Sequence, residues 1–153
     1  MKPKFNDNYK GVRCRVYLVR EGENDEVIKL NNPSDIYKLV KDELINSDRE
    51  MLLSVMLTVK NQLIGVETVS IGSISATSMI PREVFKSAIL ANAAAIILCH
   101  NHPSGELTPS DEDVKFTKLI VDAGELLGIK VLDHLIISNK GFHSLRDGCG
   151  FPN

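Results

Sequence analysis

Residues 93–99, Ala-Ala-Ala-Ile-Ile-Leu-Cys, are apolar without interruption and stop abruptly at His100-Asn101-His102-Pro103. A short apolar run bounded by polar residues reads as a strand buried on both faces. Such a strand must be covered by other layers, which directs the chain toward a sheet with helices against it. The side chains of a strand alternate between its faces, so His100 and His102 leave the tip on the same side. Their Cα atoms then lie roughly 6.5–7 Å apart. At that separation both imidazoles can lean onto one Zn²⁺, with metal–nitrogen distances of about 2.0–2.1 Å.

After the histidines, Pro103, Ser104 and Gly105 turn the chain, and a helix follows. Two starts compete for that helix. Ser110 and Asp113 have the spacing of a capping box. Thr108-Pro109 offers an N-cap followed by proline at the first helical position, with Asp111 two residues on. The second start is the expectation here. It puts Ser110 at the second and Asp113 at the fifth helical position, with neither used for capping. From Asp113, steps of three and four reach Phe116, Ile120, Ala123 and Leu127, which make the inward stripe. A carboxylate at the head of that stripe is costly unless it is paired or binds a metal. His100, His102 and Asp113 thus supply three ligands, and Ser110 a hydroxyl. Three protein ligands with an open fourth position are the pattern of a catalytic zinc site.

The stretch HNHPSG…PS..D resembles the metal motif of JAMM/MPN+ metallopeptidase-like domains. With the VLDH strand that follows, it is more closely similar to the bacterial RadC family. The resemblance spans residues 33–148. It implies a single α/β domain of the JAMM/MPN type (cytidine-deaminase-like), a mixed central sheet flanked by helices. It also implies a zinc-dependent hydrolase holding one Zn²⁺ per chain and cleaving a peptide, isopeptide or related amide bond through an activated water. In such domains a strand glutamate well before the histidines is the general base. Glu67, five residues before Gly72 in ETVSIGS, fits that place better than Glu83, which complements a helix N-terminus. Ser110 would then donate a hydrogen bond to the developing oxyanion. Asn101 and Ser104 either touch substrate or shape the loop.

The RadC name is linked with DNA repair, so the alternative is a protein acting on or near nucleic acid, as a nuclease or accessory factor. Net charge bears on this. With 18 basic and 20 acidic residues the chain carries −2, which gives no general attraction to phosphate backbones or anionic membranes. The helix-hairpin-helix segment that longer family members carry is not seen before the domain; the basic stretch RCRVYLVR stands in its place. A third possibility is an interaction module that keeps zinc for structure alone.

The 153 residues, 43% of them hydrophobic, suffice for one packed domain. No run reaches membrane-span length and no apolar leader is visible, so a cytoplasmic location is expected. Cys14, Cys99 and Cys149 are widely spaced and odd in number, which reads as free thiols. Cys99 points away from His100 and fills the core.

In chain order, residues 1–32 are expected to be an N-terminal extension with one or two strands, at 13–20 and 26–30. Residues 33–148 form the metal-binding domain, and 149–153 are a tail. Asn32-Pro33 opens a helix to about residue 45, with Ile36, Leu39, Val40 and Leu44 inside. Residues 51–59 read as a buried strand, turning at Lys60-Asn61 into a strand over 62–71. There Gly65, Glu67, Val69 and Ile71 share a face. Pro81 opens a helix to about residue 91, with Val84, Phe85, Ala88 and Ile89 inward. Gly128 caps the long helix. Residues 130–138 are a strand, 142–145 a short last one, and His143 a surface residue. Asp133 and His134 are either partners of the metal ligands or ordinary structural hydrogen-bonders.

Overall fold

The structure is a computed structural model and describes residues 16–19, 21–22, 26–72, 80–148 and 151. Its first helix, α1 (Pro33–Ile45), starts as the Asn-Pro pair demands. The Asn32 side chain accepts the Asp35 N–H at 3.1 Å, and the Asp35 carboxylate returns to accept the Asn31 N–H at 3.0 Å. Ile36, Val40 and Leu44 are buried along one i, i+4 line. Leu39, expected inside, is 36% exposed, because it borders that narrow line.

The strands β1 (Met51–Leu57) and β2 (Leu63–Ile71) form an antiparallel hairpin. β1 stops two residues sooner than its apolar run. Thr58 is drawn into the turn instead: its Oγ1 accepts the Lys60 and Gln62 N–H groups, both at 3.2 Å. The remaining elements are α2 (Pro81–Leu90), β3 (Ala95–Asn101), α3 (Asp111–Leu127), β4 (Lys130–Ser138) and β5 (Gly141–Ser144).

The sheet runs β2-β1-β3-β4-β5. Among the described residues only β3 and β4 pair in parallel, with α3 connecting them, so the sheet is mixed. Neighbouring residues of β1 and β3 feed two different cores. Leu53, Val55, Ile97 and Cys99 pack under α1, while Leu52, Met56, Ile96 and Leu98 pack under α2 and α3. Cys99 is fully buried on the α1 side, as expected, and burial pushes its thiol pKa up. Each fully buried Leu, Ile or Phe contributes about 1.5–3 kcal/mol, and the two cores pack both faces of β3 up to its tip.

Three details of packing differ from the sequence reading. On α3 the buried line is Asp113, Phe116, Thr117, Ile120 and Gly124; Ala123 lies at its edge and Leu127 is 46% exposed. Gly124 takes the seam because a Cβ there would sit 2.5 Å from the Ile129 carbonyl oxygen. Ile89 faces away from the sheet into an open apolar groove with Leu90, Leu126 and Leu127. On β2 a register shift pairs Leu52 with Ser70 and Leu53 with Thr68, so the face shared by Gly65, Glu67 and Val69 does not continue to Ile71, which pairs with Met51.

At the N-terminal end, residues 16–19 are exposed and in no strand, and the rest of the expected 13–20 strand lies outside the described residues. The expected strand at 26–30 is reduced to a single bridge between Lys29 and Gln62. No helix among the described residues is long and apolar enough to cross a membrane. The tail residues 149–150 and 152–153, Cys149 among them, are outside the described residues, as is Cys14.

Candidate metal centre

Both histidines leave from the tip of β3, and α3 begins beside them. His100 is buried and His102 nearly so. The two Nε2 atoms are 2.9 Å apart. His100 Nε2 lies 3.2 Å from Asp113 Oδ1, and His102 Nε2 lies 3.3 Å from Asp113 Oδ2. All three ligand atoms fall within 4.8 Å of one another. A tetrahedral ion with bonds of about 2.0–2.1 Å needs its ligand atoms about 3.3–3.4 Å apart. The side chains therefore already stand close to the spacing that a small divalent ion requires.

Local structure explains the aim of His102. Gly105, at φ 75°, completes a tight turn in which its N–H donates to the His102 carbonyl at 2.8 Å. A side chain at that φ would be strained. The turn brings the Glu106 carbonyl back to His102, whose Nδ1–H donates to it at 2.9 Å. In the neutral ring Nε2 then carries the lone pair and faces Asp113; in the protonated ring it donates to that carboxylate. Asn101 is a shaping residue. It accepts the Met51 N–H at 2.7 Å and donates to the Arg49 carbonyl at 2.9 Å, which ties the tip of β3 to the start of β1. Ser104 Oγ accepts the Glu106 N–H at 3.3 Å within the loop.

The helix start corrects the sequence reading. Ser110, not Thr108, is the N-cap, with extended backbone, and Ser110 and Asp113 form a full capping box. Ser110 Oγ accepts the Asp113 N–H at 3.1 Å, while Asp113 Oδ2 accepts the Ser110 N–H and hydroxyl, both at 2.7 Å. Pro109 fits just as well before an extended cap residue, so the proline did not decide the start. Asp113 is both cap and candidate ligand. Burial pushes its pKa up, but hydrogen bonds to His100 and His102 outweigh this and hold the carboxyl far below the usual carboxylate range. The same contact with Asp113 raises the pKa of His102 against the effect of burial. Ser110, expected to offer a free hydroxyl, spends its proton on Asp113.

Glu67 is opposite Ser54 across the β1–β2 pair, and Ser54 is opposite Leu98 across β1–β3. Directly paired residues project to one side of a sheet, so Glu67 shares the face of Leu98 and His100. Among the described residues its Oε2 is buried with no hydrogen-bond partner, and so is Ser54 Oγ. A buried carboxylate oxygen without a donor is costly. Such an atom marks a place where a water, an ion or a reacting group belongs.

The Asp133-His134 pair is divided by the alternation of β4. Asp133 turns from the site and accepts from Ser144 Oγ at 2.7 Å, His134 N–H at 2.7 Å and Arg146 N–H at 3.2 Å, which fastens β4 to the end of β5 and the residues after it. His134 turns toward the site, with Nε2 2.7 Å from His100 Nδ1. Thr117, which sequence reasoning passed over, lies one turn beyond Asp113. Its Oγ1 is 2.6 Å from His134 Nδ1 and 2.6 Å from the Asp113 carbonyl oxygen. The i+4 spacing from Asp113 on the buried stripe was the available signal.

Fold and site together define a single α/β domain with a candidate His-His-Asp metal centre at the mouth of its parallel strand pair. Residues 30–150 match the RadC-like JAB domain family, and the chain belongs to the RadC family. It is 51% identical over 118 residues to a UPF0758 protein of Moorella thermoacetica, covering 77% of this chain and 52% of that one. A UPF0758 protein of Caldanaerobacter subterraneus subsp. tengcongensis is 49% identical over 133 residues, covering 87% and 56% respectively. One from Methanosarcina mazei is 44% identical over 119 residues, covering 78% and 52%. The chain spans about half the length of the curated relatives it matches.

Proposed function

We propose that the domain is a zinc-dependent hydrolase of the JAMM type, acting on a peptide, isopeptide or related amide bond. The observation that carries this reading is the convergence of three lone-pair-bearing atoms, with an unpartnered glutamate oxygen on the same sheet face. Two imidazoles and one carboxylate suit Zn²⁺, and His100, His102 and Asp113 would hold it with one position open. When bound, such an ion supplies Lewis acidity toward a carbonyl and lowers the pKa of water to about 7.

The chain's own residues do the rest. Glu67 takes the proton of the attacking water and later passes it to the leaving amine, in the manner of a general base that becomes a general acid. Ser110 must turn its hydroxyl from Asp113 to serve a developing oxyanion; until it does, it steadies the ligand. The two cores pack both faces of β1 and β3 beneath the site, so the Ser110 hydroxyl is the group that has to turn.

Zinc content and a screen against a library of peptide and isopeptide substrates test this. The wild type should hold about one zinc per chain, and His100→Ala should hold none. Glu67→Gln should keep its zinc and lose about 10²–10⁴-fold in rate. A folded wild type that takes up no transition metal, or a Glu67→Gln variant that cleaves as the wild type does, would refute the proposal.

A further inference from the structure

His100 can bind a metal through Nε2 only if its proton sits on Nδ1, and something must keep it there. We infer that Thr117 and His134 form a relay that fixes this tautomer, so that two residues touching no metal decide whether the site can bind one. The reading deepens the metal site proposed above.

The proton positions follow from the acceptors. The Asp113 backbone carbonyl can only accept, and it lies 2.6 Å from Thr117 Oγ1, so the threonine hydroxyl proton is spent there. Thr117 Oγ1 therefore has only lone pairs for His134 Nδ1, also at 2.6 Å, and His134 must carry its proton on Nδ1. His134 is fully buried and its two ring contacts are to a hydroxyl and an imidazole, so a second proton would put a charge in the core with no carboxylate on the ring; it bears one proton and its Nε2 is bare. The 2.7 Å contact between His134 Nε2 and His100 Nδ1 then needs a proton from His100. With that proton on Nδ1, the neutral His100 ring has its lone pair on Nε2, beside His102 Nε2 and Asp113.

The chain of bonds starts and ends on the same residue. It begins at the backbone carbonyl of Asp113 and finishes beside the carboxylate of Asp113. Formation of the first turns of α3 therefore sets both the position of one ligand and the protonation of another. Thr117 is the sensitive member. Valine has the same shape but offers no acceptor to His134 Nδ1. His134 would then be free to move its proton to Nε2 and donate to His100, which would place the His100 proton on the metal-facing nitrogen.

The test compares wild type, Thr117→Val, Thr117→Ser and His134→Leu. Long-range ¹H–¹⁵N correlation of the histidine rings in metal-free protein at mildly alkaline pH reads the tautomers. Competition with a chromophoric chelator reads zinc affinity. In the wild type and in Thr117→Ser, His100 and His134 should both be protonated on Nδ1. Thr117→Val should shift His100 to the Nε2–H form. Thr117→Val and His134→Leu should each weaken zinc binding about ten- to hundredfold, the usual cost of losing a partner of a metal-bound histidine. A Thr117→Val variant with the wild-type tautomer and affinity overturns the relay. So does a wild-type His100 protonated on Nε2, a measurement that needs no variant to fold. If the wild type binds no zinc, the metal reading fails while the tautomer spectrum still decides the relay.

Discussion

Asparagine at position 113 separates the two tasks of this side chain. Asp113 Oδ2 accepts two donors from Ser110, both at 2.7 Å, so an amide must keep its oxygen there. The NH₂ group then replaces Oδ1 and faces His100 Nε2, which is 3.2 Å from Oδ1 in the wild type. Asp113→Asn should therefore keep the capping box and plug the metal cleft with a hydrogen bond. Asp113→Ala instead leaves the Ser110 N–H and hydroxyl without their acceptor, at a cost of about 1–3 kcal/mol. In a domain of this length 1 kcal/mol moves Tm by about 2–4 °C, so alanine should lower the metal-free Tm by roughly 2–12 °C. Asparagine should stay within a few degrees of the wild type. Zinc at one hundred times its Kd stabilises by about 2.7 kcal/mol, or roughly 5–11 °C. A variant binding a hundredfold more weakly would gain only about 0.4 kcal/mol at that concentration, close to 1 °C. Differential scanning calorimetry with and without zinc gives both numbers for each variant. An Asp113→Asn variant that gains the full zinc shift, or whose metal-free form is as unstable as Asp113→Ala, would refute this division of the two tasks.

Further outcomes follow from the same geometry. Ser110→Ala removes the N-cap, costing about 0.5–2 kcal/mol. If the hydroxyl steadies Asp113, it should also weaken zinc binding measurably in a chelator competition; activity lost at unchanged zinc affinity would assign Ser110 to the oxyanion alone. Gly124→Ala forces a Cβ to 2.5 Å from the Ile129 carbonyl oxygen, with Phe85 and Val131 each at 3.1 Å, so it should destabilise by about 1–3 kcal/mol in chemical denaturation. Zinc affinity should rise with pH. The hydrogen bond to Asp113 raises the pKa of His102 above its ordinary value, so metal must expel a proton from His102 at and somewhat above the usual imidazole range. Titration calorimetry should show affinity climbing through that range and levelling off beyond it; a flat profile there would count against His102 as a ligand.

The large elements were legible because each had a local cause strong enough to act alone. Uninterrupted apolar runs made β1 and β3, Asn32-Pro33 made the start of α1, and the alternation of a strand placed His100 and His102 together with Cys99 opposite. The places where the sequence misled were those where two local choices were equally good and a distant contact decided. From Ile120 a helical stripe can step to Ala123 or to Gly124. Apolarity favours alanine, but the backbone at Ile129 comes too close for any side chain. Thr108-Pro109 and Ser110-x-x-Asp113 are both sound helix starts, and the histidines at the tip of β3 favour the second, because it fixes the carboxylate that faces them. The relay through Thr117 and His134 joins α3 to β4 and β3, so no single window of the sequence contains it.

Asp113 itself combines two uses that compete on paper. Capping and metal binding look like rival uses for one side chain, and assigning the cap to Thr108 keeps them apart. A carboxylate, however, has two oxygens and about four lone-pair positions. Oδ2 takes both donors of Ser110 and lies 3.3 Å from His102 Nε2, while Oδ1, free of the cap, faces His100 Nε2 at 3.2 Å. The cap is what aims the ligand. Two bonds to Ser110 remove the rotational freedom that a lone aspartate would lose on binding an ion, and the capping box also anchors the turn that carries Thr117. A helix start that reads as ordinary on its own is thus the joint through which local backbone structure sets the geometry of the whole cluster.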